Sequence, residues 1–165
     1  MRTLLTFLTA LLLAGCATAY QRQGMTGGFS ETQLDENVFR VRFNGNGYTS
    51  GERAADFTLL RSAELARNHG YPFFIIVQAS AGSSYSTYTT PVQSHTTASA
   101  TSYGNTAYGS AHTTTSGGET YLIAKPGVAN TIVCFKERPE GYQGMVYNAD
   151  FLYDSLTQKY RIRRE

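Results

Sequence analysis

The clearest local pattern is Val38-Phe39-Arg40-Val41-Arg42-Phe43, where apolar and basic residues alternate. A period of two predicts a strand with Phe39, Val41 and Phe43 inward and Arg40 and Arg42 toward water. Asn44-Gly45-Asn46-Gly47 then turns the chain. Thr49 stands three residues before Glu52, the spacing of a capping box. The Ala- and Leu-rich stretch that follows predicts a helix to about Asn68, with Gly70 as its stop. At about 100° per residue, Ala55, Leu59, Ala63 and Ala66 fall on one apolar stripe, widened by Phe57 and Leu60. Arg61 and Glu64 are three apart and are expected to pair on the opposite side. Tyr71-Pro72-Phe73-Phe74-Ile75-Ile76-Val77 is apolar without alternation, the mark of a central strand covered on both faces. Strand, capped helix and strand at this spacing predict a βαβ unit with a right-handed crossover.

The pattern then changes abruptly. No Asp, Glu, Lys or Arg occurs between Arg67 and Glu119, and 19 of the 40 residues at 79–118 are Ser or Thr. So few aliphatic side chains cannot offset the entropy of ordering, so the plainer expectation is a mobile, low-complexity insertion. The alternation in Ser84-Tyr85-Ser86-Thr87-Tyr88-Thr89 supports a second reading, an extended hairpin. Such a hairpin would present Tyr85, Tyr88, Tyr103 and Tyr108 to a partner. Beyond it, Thr120 to Ala124 and Asn130 to Phe135 read as strands, with Pro126-Gly127 as the turn between them. Asn148 is a good N-cap, Tyr147 and Leu152 hold the positions of a hydrophobic staple, and Leu152, Leu156 and Tyr160 recur every four residues. The expected fold is α+β: a small two-layer sandwich ordered β-α-β-(long Ser/Thr/Tyr-rich insertion)-β-β-α. Its helices lie on one face of a 3–4-stranded sheet.

The amino terminus carries a different kind of signal. Met1-Arg2, an apolar run from Leu4 to Leu13, and Leu13-Ala14-Gly15-Cys16 have the layout of a secretory signal. The Cys directly after Leu-Ala-Gly resembles the lipobox of bacterial lipoproteins. That resemblance implies removal of residues 1–15, lipidation of Cys16 and attachment to a membrane. Ala17 follows the Cys where inner-membrane retention signals carry Asp, which implies the outer membrane facing the periplasm. Ala17-Thr18-Ala19 offers an ordinary peptidase an alternative cut, releasing a chain that starts at Tyr20. The apolar run is about half of the roughly 20 residues a spanning helix needs. Residues 16–28 then read as a lipidated Cys and flexible tether, and 29–165 as one domain with its insertion at 79–118.

Composition narrows the chemistry. Loss of Arg2 takes the formal charge from +2 to +1, which offers no basic face to nucleic acid. There is no Trp, but 12 Tyr and 9 Phe supply large apolar surfaces for a small core. With Cys16 lipidated, Cys134 has no disulfide partner, and its apolar run predicts a buried, inert thiol. Gly45-x-Gly47-x-x-x-Gly51 misses the dinucleotide fingerprint by one residue and lacks the Lys of a P-loop. Turn glycines explain it, and no cofactor is expected. His69, His95 and His112 have no metal-site spacing, and no nucleophile elbow is present, so neither metal nor catalytic residues are assigned. Lys159, Arg161, Arg163 and Arg164 make a basic end.

Three stretches together resemble an uncharacterised family of small proteobacterial envelope lipoproteins. They are Gly28-Phe29-Ser30-Glu31, Val41-x-Phe43-x-Gly45-Asn46-Gly47, and Leu60-Arg61-Ser62-Ala63-Glu64 followed by Gly70-Tyr71. The resemblance covers residues 27–78 and implies an envelope lipoprotein, with no activity to carry over. Arg61 and Glu64 are its candidate residues, as a structural ion pair. The function expected is a non-catalytic, lipid-anchored binding or scaffolding module with an envelope protein or glycan partner. A periplasmic hydrolase with a site between sheet and insertion is the alternative.

Overall fold

The computed structural model describes residues 17–163 and is mixed α+β, in two compact units. The first unit holds residues up to Ser84 and from Ala124 onward; the second is Tyr85–Ile123. Chain order is β1 (Gly28–Asp35), β2 (Val38–Asn44), α1 (Gly51–Asn68), β3 (Phe73–Thr89), β4 (Gln93–Tyr103), β5 (Thr106–Ser116), β6 (Thr120–Phe135), β7 (Tyr147–Asn148) and α2 (Ala149–Tyr160). The strands form a five-stranded, mostly antiparallel sheet in the order β1-β2-β6-β3-β7, and a separate β4-β5 pair.

In the first unit the alternation in β2 works as its pattern predicts: Phe39, Val41 and Phe43 are buried, while Arg40 and Arg42 are exposed. Each fully buried Phe contributes about 2–3 kcal/mol by leaving water. Helix α1 lays Phe57, Leu60 and Ala63 onto this face, and α2 packs Tyr153 and Leu156 beside it. The helix ends at a Schellman motif, with Gly70 N–H donating to Arg67 O, Tyr71 N–H to Ala66 O, and Gly70 at φ +75°. Asn148 caps α2 by accepting from Phe151 N–H.

Several expectations are corrected. Ser50, not Thr49, caps α1, accepting from Arg53 N–H at 3.1 Å, because the Thr49 hydroxyl is engaged by Thr18 and Asn46. β2 and β3 do not neighbour each other, since β6 lies between them, so no simple βαβ unit forms. The sheet accordingly has five strands rather than three or four. Pro126-Gly127 makes no turn, and β6 runs unbroken from Thr120 to Phe135. Pro126 is tolerated because it falls just past the Asn44↔Gly127 pairing where β2 ends, and its carbonyl still accepts from Gly45 N–H. The polar strand β1 was not foreseen: its helix-facing side carries Phe29 and Glu31, paired with Phe43 and Val41. In the segment before it, Thr18 is buried and Tyr20 contacts the core, while Ala19 and residues 21–26 are exposed.

In the second unit, β4 and β5 pair antiparallel over eleven positions, from Gln93↔Ser116 to Tyr103↔Thr106. Gly104 at φ +61° opens the two-residue turn Gly104-Asn105, as a type II′ hairpin requires. Within the tract, Gln93–Ser116 takes the form of a hairpin. Hydroxyls bond across the strands: Ser94 to Thr115 at 3.1 Å, Thr96 to Thr113 at 2.9 Å and Ser99 to Ser110 at 3.1 Å. Thr and Ser suit the pleat and pair across it, so backbone pairing proceeds without an aliphatic core.

Candidate interaction surface and the Arg61 cluster

Register gives the β4-β5 hairpin two unlike faces. One carries His95, Thr97, Thr101 and Tyr103 from β4, with Tyr108, His112 and Thr114 from β5. The other carries only Ser, Thr, Ala and Gly, including Ala98, Ala100, Gly109 and Ala111. Every residue of both strands is exposed, and Tyr103 and Tyr108 are diagonal neighbours at 87% and 71% exposure. Tyr85 and Tyr88, on the outer part of β3, are also exposed. All four predicted contact tyrosines therefore lie in the second unit and reach solvent.

Arg61 and Glu64 do pair, at 2.7 Å, but not on a solvated face. Arg61 is buried, with its guanidinium 4.3 Å from the centre of the Phe29 ring and 2.9 Å from Glu31. The Tyr20 hydroxyl donates to the other side of this group, onto Glu64 Oε2. Sequence spacing reports only the i,i+3 pair; Tyr20 and Glu31 arrive through β1 and the segment before it. Burial opposes charge on Arg61, but hydrogen bonds to Glu31 and Glu64 outweigh it and hold the guanidinium above its ordinary pKa. Burial, then the Glu64 hydrogen bond, push the Tyr20 phenol well above its ordinary value. Arg61 Nε and Glu31 Oε2 keep no partner among the described residues, so the cluster fixes geometry more than it maximises stability. It offers charge pairing and a phenol held neutral, not a nucleophile with a base.

The remaining features resolve simply. The Gly45–Thr49 loop uses its own N–H groups: Gly45 donates to Pro126 O, Asn46 to Thr18 and Thr49 hydroxyls, and Tyr48 to Asn46 Oδ1. Few donors remain there for a phosphate. Cys134 is 1% exposed, and burial pushes its thiol up to about 12. His69 Nδ1 lies 2.9 Å from Leu65 O, and its ring packs on Phe39. Lys159 is not a free basic end, since it bonds Glu52 and Asp56 of α1 at 2.7 Å each. A hollow of about 520 Å³ beside Gly70 and Pro72 holds Arg67 and Asp150, which neutralise each other at 2.6 Å.

One surface feature escaped the pattern reading. On the face of the sheet away from α1, a groove of about 270 Å³ is lined by Arg40, Arg42, Gln78, Ser80 and Thr131. Neither guanidinium has a hydrogen-bond or ion-pair partner among the described residues. The alternation marks both arginines as solvent-facing, but only the order β2-β6-β3 sets Gln78, Ser80 and Thr131 beside them.

Cys16, the predicted lipidation site, and Arg164 lie outside the described residues. Among the described residues no helix is long and apolar enough to cross a membrane, and no three His, Cys, Asp or Glu side chains are grouped to hold a metal ion. No protein-family model, curated protein or solved structure matches the chain.

Proposed function

We propose that this protein is a lipid-anchored envelope lipoprotein acting as a non-catalytic binding or scaffolding module on the periplasmic side of the outer membrane. The anchor rests on Leu13-Ala14-Gly15-Cys16 and on the resemblance to small envelope lipoproteins across residues 27–78. The first unit serves as a two-layer sandwich with both helices on one sheet face, a rigid base close to the bilayer. Binding rests on one observation: a wholly exposed hairpin face that concentrates Tyr103, Tyr108, His95 and His112. Tyrosines offer flat apolar area with a polar tip and few rotors to freeze, which suits contact with a protein strand or a sugar ring. The absence of charge between Arg67 and Glu119 removes like-charge repulsion against either partner.

Two experiments test this reading. Cys16→Ala should abolish metabolic labelling with a fatty-acid analogue; labelling that persists removes the anchor. Photo-crosslinking in cells from positions 103 and 108 should capture one recurring protein or glycan species. A probe at position 155, on an exposed part of α2, serves as control. Equal, diffuse capture at all three positions would remove the binding role of the hairpin.

A further inference from the structure

Every formal charge carried by β2, β3 and β6 is positive. Arg40 and Arg42 in β2 and Lys125 in β6 are the charged residues of these three strands, which contain no Asp or Glu. Arg40 and Arg42 alternate with the buried Phe39, Val41 and Phe43, and so face away from α1. Lys125 lines a hollow of about 290 Å³ together with Arg42. That hollow shares Arg42, Ser80 and Ala129 with the groove of about 270 Å³ beside Arg40, so the two form one trough. Register sets its length. Thr131 lies opposite Arg40 and Ala129 opposite Arg42. Lys125 therefore stands six residues from the Arg40 row, about 20 Å along β6.

No counter-charge faces this row. Across the strands, Arg40 sits between Thr32 and Thr131, and Arg42 between Ser30 and Ala129. A carboxylate at any of these positions would stabilise the sheet as a cross-strand ion pair, yet none is present. Glu31 of β1 turns to the helix side instead, where it bonds Arg61 at 2.9 Å. The side chains of Arg40, Arg42 and Lys125 have no hydrogen-bond or ion-pair partner among the described residues. Like charges lining a trough without compensation make its potential positive and draw an anion to it.

The lining decides which anion. Beside Arg40 and Arg42, β2 is paired on both sides, by β1 and β6, so an acidic peptide finds no free strand edge to extend. No aromatic side chain lines the trough for a base to stack on. Three cations over about 20 Å are also far sparser than the one charge per roughly 3.4 Å of a nucleic-acid strand. The matching ligand carries anionic groups set apart by neutral hydroxyls. Arginine forks hold a carboxylate or phosphate through two parallel hydrogen bonds, and Gln78, Ser80 and Thr131 offer donors and acceptors to hydroxyls. We infer that this trough binds a linear anionic saccharide, its carboxylate or phosphate groups held by Arg40, Arg42 and Lys125. The site lies wholly within the first unit and rests on neither the tyrosine-bearing hairpin nor the lipid anchor.

The test titrates the full chain, in a non-ionic detergent, with hexagalacturonate as the carboxylate probe and a phosphorylated pentamannoside as the phosphate probe. Maltohexaose, hexa-aspartate and hexathymidylate serve as the neutral, peptide and nucleic-acid probes. Calorimetry should show binding of at least one anionic saccharide, weakening about tenfold or more between about 0.05 and 0.5 M salt. Arg40→Gln, Arg42→Gln and Lys125→Gln should each weaken that binding about fivefold or more, as loss of a charge-assisted hydrogen bond requires. Lys136→Gln, an exposed cation just past β6, should change it less than about twofold. The salt dependence of the unaltered chain carries the test even where a variant folds poorly. Failure of both anionic saccharides to bind, binding that salt leaves unchanged, or binding that all three trough substitutions leave unchanged overturns the inference. Equal binding of maltohexaose overturns it as well, since charge would then play no part. Equal or tighter binding of hexa-aspartate or hexathymidylate also overturns it and assigns the trough to an acidic peptide or a nucleic acid.

Discussion

The phenol of Tyr20 donates its hydrogen bond to the carboxylate of Glu64, so a residue four positions past Cys16 is tied to the middle of α1. Glu64 in turn accepts from Arg61, which reaches Glu31 on β1. One guanidinium thus joins the entering segment, the edge strand and the helix. Arg61 and Glu64 thereby fasten the start of the fold.

Replacing Arg61 with Met should destabilise the protein by about 2–4 kcal/mol, because Glu64 is left without its cation and Glu31 keeps only the exposed Arg22 at 3.4 Å. Adding Glu31→Gln and Glu64→Gln should recover at least half of that loss in urea unfolding. A triple variant as unstable as the single one would show that packing of Arg61 on Phe29, rather than charge, is the larger contribution.

Gly27 and Gly70 should separate cleanly. A Cβ on Gly27, at φ +99°, would stand 2.3 Å from the Asn44 carbonyl oxygen, a backbone atom that cannot move aside. Gly70, at φ +75°, has open space around it. Gly27→Ala should therefore cost more than about 3 kcal/mol or prevent folding, whereas Gly70→Ala should cost about 1 kcal/mol, the ordinary expense of an L residue in the left-handed region. Thermal unfolding of the two variants checks the order.

Stability should fall as pH rises above about 9. The Cys134 thiol is pushed up to about 12 by burial, and the Tyr20 phenol is raised by burial and by Glu64. Above the unfolded-state pKa the unfolded chain releases a proton that the folded chain retains, so alkali favours unfolding. Each such group contributes a slope of at most about 1.4 kcal/mol per pH unit. Cys134→Ala should flatten the decline between pH 9 and 10 (about one proton fewer in the slope), leaving the Tyr20 part at higher pH. The same burial makes Cys134 unreactive toward thiol reagents until the protein unfolds. Alkylation in native buffer at the unfolded rate would contradict it.

The β4-β5 hairpin depends on its turn. Gly104→Val forces a β-branched residue to φ +61° and should open the hairpin, since a two-stranded pair without a core has little stability in reserve. Chymotrypsin, cutting at Tyr103 and Tyr108, should then act about tenfold faster than on the unaltered chain, in line with about 1.4 kcal/mol lost. Equal cutting of both proteins would mean that the pairing does not govern access.

Arg40→Ala and Arg42→Ala should leave unfolding within about 0.5 kcal/mol of the unaltered protein, as neither side chain has a hydrogen-bond or ion-pair partner among the described residues. They are therefore clean probes of whether the open sheet face meets an anionic ligand: a loss of partner capture at constant stability would implicate it.

What the linear sequence determined was everything that one element decides alone. The two-residue period of β2, the four-residue recurrence of α2, the Gly70 stop and the Asn148 cap are local matters, because backbone geometry and capping need no distant partner. Tertiary structure decided the rest. β1 is mostly polar because it is an edge strand that buries only Gly28 and Phe29, so its pattern carried no signal. β6 lies between β2 and β3 because hydrogen-bonded neighbours are chosen by three-dimensional register rather than chain order, and that choice also carried Pro126-Gly127 through as strand. Arg61 is buried although its spacing from Glu64 suggests a solvated pair, because a buried cation needs counter-charges that only folding brings near. Periodicity reports which way a side chain points; what it meets there is a non-local fact, and Tyr20, Glu31 and Arg61 meet only in the fold.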